Sequence, residues 1–121
     1  MRAPNLMTSF RYAFAGIGHG LRTQRNLRVH LTAAVAVAFA GLWLGLSRWE
    51  WTAIVLVVGL VLTAEMFNSA LEAAVDLVSP DVHPNAKIAK DAGAGAVVFA
   101  ALTAVAVGLL VFAPHLVELL V

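Results

Sequence analysis

Ala53-Ile54-Val55-Leu56-Val57-Val58-Gly59-Leu60-Val61-Leu62-Thr63 runs without interruption into Ala64-Glu65-Met66-Phe67-Asn68-Ser69-Ala70-Leu71-Glu72-Ala73-Ala74-Val75-Asp76. A hydrophobic helix long enough to cross a bilayer thus carries three carboxylates and an amide in its later half. Ionisable groups at membrane depth are expensive and are kept where they act, each with a partner or water. Glu65, Asn68, Glu72 and Asp76 stand at i, i+3, i+7 and i+11, within an arc of about 80° at roughly 100° per residue. They form one polar stripe, flanked by Ser69, that extends roughly 16 Å along the helix at about 1.5 Å per residue.

The composition agrees with a membrane setting. Of 121 residues, 61% are hydrophobic and 12% charged, more apolar surface than a soluble domain of this size can hide. There is no cysteine, which removes disulfides, thiolate nucleophiles and cysteine metal sites. Met1 to Arg28 holds five arginines and no sustained apolar core, so this segment reads as part of the mature protein and not as a cleavable signal. No repeat or linker divides residues 1–121, which read as one domain.

Before the central helix, residues 5–28 read as an amphipathic helix. Leu6, Met7, Phe10, Phe14, Ile17 and Leu21 share one face on a 3.6-residue period, with Arg11 and Arg22 on another. Such a helix lies on a membrane surface or packs against the bundle; Gly16, Gly18 and Gly20 predict a kink. A first span is expected over 29–46, with Gly41 and Gly45 in a G-x-x-x-G spacing that permits close helix approach. Trp43, Trp49 and Trp51 surround a tight connection at Ser47 to Glu50, as in an aromatic belt. The second span is 51–78. Pro80 and Pro84 bracket a turn, Asn85 is the expected N-cap of the next helix, and a third span over 86–112 is closed by Pro114. The expected fold is an all-α membrane protein, an N-terminal interfacial helix followed by three transmembrane helices. Among the histidines, His19, His83 and His115 read as surface residues, and His30 as either a headgroup contact or a packing residue.

Seven of the eight basic residues (Arg2, Arg11, Arg22, Arg25, Arg28, Lys87, Lys90) lie in the N-terminal segment and the second connection. The positive-inside rule puts both in the cytoplasm. The expected location is the inner (plasma) membrane, multi-pass, with the active site at the cytoplasmic face.

Carboxylates on one helix, with lysine, aspartate and arginines nearby at a membrane surface, suit a metal-bound anionic substrate. Mg²⁺ takes carboxylate and phosphate oxygens, and lysine or arginine neutralises the remaining phosphate charge. A deeper carboxylate can accept a proton from a hydroxyl in the headgroup region. Phosphoryl transfer from a nucleotide to a lipid alcohol is the reaction this suggests. The G-x-x-x-x-G-K-[ST] loop is missing, and Gly16-Ile17-Gly18-His19-Gly20 lacks the spacing of a dinucleotide loop.

The stretch Glu65 to Asp76 and, after a proline-containing loop, Ala89-Lys90-Asp91-Ala92-Gly93-Ala94-Gly95-Ala96-Val97 together resemble the signature of the small prokaryotic diacylglycerol kinase and undecaprenol kinase family. The match is E-x-x-N-[ST]-A-[IL]-E-x-x-x-D plus A-K-D. The resemblance implies an ATP- and Mg²⁺-dependent lipid kinase, a homotrimer with active sites between subunits, and no nucleic acid partner. It implies that Glu65 is the catalytic base, Asn68 its supporting amide, and Glu72 the carboxylate that holds Mg²⁺ and ATP. Asp76, Asp81, Lys90, Asp91 and Arg11 fall on nucleotide-contacting positions. Gln24-Arg25-Asn26-Leu27-Arg28-Val29-His30 resembles the family's E-R-N-x-R-[IV]-H segment, with Gln24 where a second Mg²⁺-binding glutamate is expected. An amide oxygen can ligate Mg²⁺ without contributing charge. The R-N-x-R-x-H pattern leans toward the undecaprenol branch. The competing readings are a catalytically inactive family member and a small proton-coupled transporter.

Overall fold

A computed structural model of the chain describes residues 2–121. Four helices follow one another: α1 (Leu6–Thr23), α2 (Arg25–Leu44), α3 (Arg48–Val78) and α4 (Pro84–Leu120). The last three are long and apolar enough to cross a membrane, so the expected helix count and order hold. Their boundaries differ from those expected in four places.

The first difference is the end of the surface helix. α1 starts at Asn5, whose side chain accepts from the Thr8 amide at 2.8 Å, and continues through Gly16, Gly18 and Gly20 before stopping at Thr23. The break falls at Gln24, which is extended at φ −109°, ψ 106°, and 25–28 belong to α2. The reason lies in Arg28: its guanidinium donates to the carbonyls of Leu21 at 2.9 Å and Arg22 at 3.1 Å, taking up acceptors that a helix end leaves open. Gly20 serves close packing. A Cβ there would stand 2.9 Å from Leu27 Cδ2 and 3.3 Å from Met66 Sδ, so α1 approaches α2 and α3 through a position with no side chain. Leu6, Met7, Phe10 and Phe14 are all exposed. The bundle does not cover this apolar face, which favours a helix on a membrane surface over one packed against its own chain.

The second difference concerns Gly41 and Gly45. Gly45 is not part of a helix interface: at φ 73° it is the left-handed residue that ends α2, with its N–H on the Gly41 carbonyl. Gly41 makes room for the Trp51 ring, since a Cβ would lie 2.7 Å from its Cη2. The chain then turns at Ser47, where Ser47 and Glu50 form a reciprocal capping box, and α3 starts at Arg48.

The third and fourth differences are at the two ends of α4. Its N-cap is His83, whose Nδ1 accepts from the Asn85 amide at 3.1 Å, so Asn85 is inside the helix. At the far end Pro114 does not terminate the helix, which continues to Leu120. In lipid a helix is the state that best satisfies backbone groups, and a proline there is tolerated. His115 also anchors the continuation, its Nε2 lying 3.0 and 2.9 Å from the two carboxylate oxygens of Glu50. His83 is thus an exposed residue, as expected, that also caps α4, whereas His115 is a half-buried structural residue and not a free surface one.

Leu46, Ile54 and Val111 form the buried core, with Val37, Trp51, Val107 and Phe112 against it. This core sits at the α2–α3 connection end. The polar stripe of α3 runs to the opposite end, toward α4's first turns. With 31 residues, α3 is roughly 46 Å long at about 1.5 Å per residue, well beyond a hydrocarbon core of about 30 Å.

Candidate active site

The stripe on α3 meets a different partner at each level. Deepest is Glu65, 2% exposed. Its Oε1 lies 3.1 Å from Nε2 of His30 on α2, out of hydrogen-bond alignment and with no other partner. A buried carboxylate oxygen without a hydrogen bond is costly.

One turn further on, Asn68 Nδ2 donates to Glu72 Oε1 at 3.3 Å, while Asn68 Oδ1 is buried without a hydrogen bond. The amide thus fixes Glu72 with one end and keeps an acceptor free at the other. α4 presents Gly93 to this side chain, so the small-residue run Ala92 to Ala96 has a specific role here: it lets α4 lie directly over Asn68. Ser69 turns inward along its own helix, donating to the Glu65 carbonyl at 3.0 Å.

At the end of the stripe, Asp76 Oδ1 pairs with Lys90 Nζ at 2.5 Å. A cavity of about 230 Å³ opens between the end of α3 and the start of α4, and Asp76, Asp81, Lys90 and Asp91 all line it. Three residues from two separate sequence motifs, and Asp81 from the loop between them, therefore meet around one solvent-facing hollow. Lys87 and His83 line it as well, and Lys87 pairs with Asp91 at 2.5 Å. The sequence places Lys87 beside Lys90 and Asp91 as a basic residue and His83 at the surface, without assigning either to the site; Lys87 lies three residues before Lys90, on the same face, which is the available signal. The chain does not bring in Arg11 or Gln24. Neither lines the cavity, and among the described residues no ion pair ties Arg11 to it.

His30 faces a second hollow. An apolar cavity of about 140 Å³ between α2, α3 and α4 is lined by His30, Ala33, Ala34, Val61 and Ala104, and continues toward Phe112. His30 thus stands between the buried carboxylate and an apolar slot, and the charged hollow lies further along α3.

Residues 11–112 match the model of the prokaryotic diacylglycerol kinase family. The chain belongs to that family. It is similar to a protein named diacylglycerol kinase from Synechocystis sp., 47% identical over 98% of this chain and 69% of the relative. It is also similar to one named undecaprenol kinase from Bacillus subtilis, 44% identical over 89% of this chain and 88% of the relative. A third, named diacylglycerol kinase, from Pseudomonas aeruginosa, is 38% identical over 79% of this chain and 77% of the relative. As a member of the prokaryotic diacylglycerol kinase family the chain is a lipid kinase, and membership implies use of ATP. The transporter reading and the inactive-member reading are accordingly not favoured.

The donor set bears on Mg²⁺. Among the described residues no three histidine or acidic side chains converge as a cage for a metal ion. Glu72, half-buried and held by Asn68, offers one carboxylate. Mg²⁺ is commonly held by one or two carboxylates together with waters and substrate phosphates, so a single positioned carboxylate fits an ion that arrives on a nucleotide.

Proposed function

We propose that residues 1–121 act as one kinase domain that transfers the γ-phosphate of ATP to the hydroxyl of a membrane lipid, diacylglycerol or undecaprenol. The observation that carries this reading is the contact of buried Glu65 with His30, which itself lines an apolar cavity. An apolar alcohol in that cavity brings its hydroxyl to a carboxylate, while a nucleotide in the charged hollow extends along the Asp76 to Glu65 face toward it.

In this reading the Glu65 carboxylate accepts the hydroxyl proton as the lipid oxygen bonds to the γ-phosphorus, and the bond from that phosphorus to the bridging oxygen of ADP breaks. Asn68 holds Glu72. Lys90 offsets phosphate charge, and Asp76, Asp81 and Asp91 fix the nucleotide through hydrogen bonds to its neutral donors. Glu72 and Gln24 hold Mg²⁺, which when bound neutralises charge on the phosphates.

The site is completed between subunits of a homotrimer, with Arg11 and Gln24 supplied by a neighbouring copy. Two features support this: both residues lie outside the cluster in the single chain, and large apolar side chains such as Phe39, Leu56 and Phe99 are exposed along the helices. The distribution of lysine and arginine supports a cytoplasmic active site in the plasma membrane. Between the two lipids, Arg25-Asn26-Leu27-Arg28-Val29-His30 favours undecaprenol.

The test is transfer of labelled γ-phosphate from ATP with Mg²⁺ to diacylglycerol and to undecaprenol in parallel, in mixed micelles, with wild type and Glu65→Gln. Label in one lipid, abolished by the substitution while ATP still binds, is the expected result. Equal labelling by both proteins would overturn the assignment of Glu65.

A further inference from the structure

We propose that His30 is the positioning residue of Glu65, holding Oε1 so that Oε2 is left as the proton acceptor for the lipid hydroxyl. The inference deepens the kinase reading and rests on Glu65 being its base.

Three observations converge on this pair. Glu65 is almost wholly enclosed, and His30 Nε2 is the group of opposite potential charge in contact with it, at 3.1 Å. Oε1 makes no aligned hydrogen bond in this structure, and His30 Nε2 is the polar atom near enough to form one when the ring turns into line. His30 in turn keeps 26% of its side chain exposed and lines the apolar cavity together with Ala33 and Ala34 on its own helix. One imidazole therefore touches both the carboxylate and the space where an apolar alcohol ends.

The chemistry follows from the ring. A neutral imidazole has one N–H and one bare nitrogen. With the proton on Nε2 and the ring turned into line, His30 donates to Oε1, fixes the carboxylate plane and leaves Oε2 as the free acceptor. When the lipid oxygen bonds to phosphorus, its proton passes to Oε2 and the hydrogen bond to Oε1 is kept. His30 gains and loses no proton in the step; it restricts which oxygen takes one. A base held in place before reaction needs no reorganisation during it.

The test compares His30→Leu with His30→Gln, the second of which keeps an N–H donor of similar reach. Phosphoryl transfer and ATP affinity are measured on the full-length protein in mixed micelles, in both wild-type and Glu65→Gln backgrounds. For His30→Leu we expect kcat to fall by about tenfold to a hundredfold, the scale of one lost hydrogen bond to a charged group, with KM for ATP unchanged and most of the rate restored by His30→Gln. In the Glu65→Gln background, where transfer is already lost, His30→Leu should leave ATP affinity unchanged, as it does in the wild-type background. Nitrogen NMR of the imidazole reports on the same contact without requiring a folded variant at position 30: the Nε2 resonance should move on Glu65→Gln. Wild-type kcat in His30→Leu, or an Nε2 signal indifferent to Glu65→Gln, would overturn the inference while leaving Glu65 as the base. Full activity in Glu65→Gln would instead remove the reading on which it rests.

Discussion

Gly93 on α4 lies so close to Asn68 on α3 that a Cβ at position 93 would stand 2.5 Å from the amide oxygen and 2.8 Å from Leu71 Cδ2. No real Cβ tolerates the first distance, so Gly93→Ala must move either the helix or the amide that restrains Glu72. Overpacking of this kind costs about 1–3 kcal/mol, offset by about 1 kcal/mol of helix propensity. Activity should fall about tenfold or more as the Asn68–Glu72 bond is lost. Gly95→Ala is the control, because nothing lies within 4 Å of its Cβ. Thermal unfolding and kcat of the two variants check this, and equal behaviour would mean that the crowding at Asn68 is relieved elsewhere.

Lys90 and Asp76 carry an exposed pair, with side chains 40% and 61% accessible. Pairs of that kind add little to stability. Lys90→Ala should therefore leave the unfolding midpoint in micelles where it is while raising KM for ATP about tenfold, the loss of one charge-assisted phosphate contact. A drop in the midpoint with KM intact would make Lys90 a strut and not a nucleotide contact.

At the other end of the molecule Glu50 closes a capping box with Ser47 and accepts from His115 across the bundle. Glu50→Ala removes both interactions where the core lies, far from the stripe. The expected outcome is a fall of several degrees in the unfolding midpoint, with kcat and KM for ATP at their wild-type values. His115→Ala should reproduce part of the fall. Unaltered melting in both would show that the pair is formed and broken without consequence.

Gln24→Glu restores a carboxylate at the joint between α1 and α2. In a trimer that brings this residue to Glu72 of a neighbour, activity at limiting Mg²⁺ should rise, or at least hold, and the Mg²⁺ concentration for half-maximal rate should drop. A Mg²⁺ titration of initial rates measures it. A large loss would show that the amide is used as a donor.

What the chain disclosed in its letters was mostly periodic. The three apolar spans and the stripe from Glu65 to Asp76 could be read because each is a repeat or spacing along one helix; A-K-D was joined to the stripe by the family resemblance, and the charged hollow follows once α3 and α4 are antiparallel. What stayed hidden depended on contacts between distant residues. The glycines of α1 suggested a break that Arg28 in fact sets four residues later, by capturing Leu21 and Arg22. Pro114 looks like a terminus because the anchor of its neighbour His115 is Glu50, 65 positions from that histidine. His30 could not be assigned without knowing that its ring meets Glu65, since the two are on different helices and no local pattern links them.

Only Gln24 separates α1 from α2, and a one-residue joint has two soft dihedrals. With 18 residues, α1 is a rod of roughly 27 Å, so a rotation of about 10° at that joint swings its far end through roughly 5 Å. Any tilt of the rod must be taken up at Gln24 or loosen the grip of Arg28 on Leu21 and Arg22, and either change falls at the base of α2, six residues before His30.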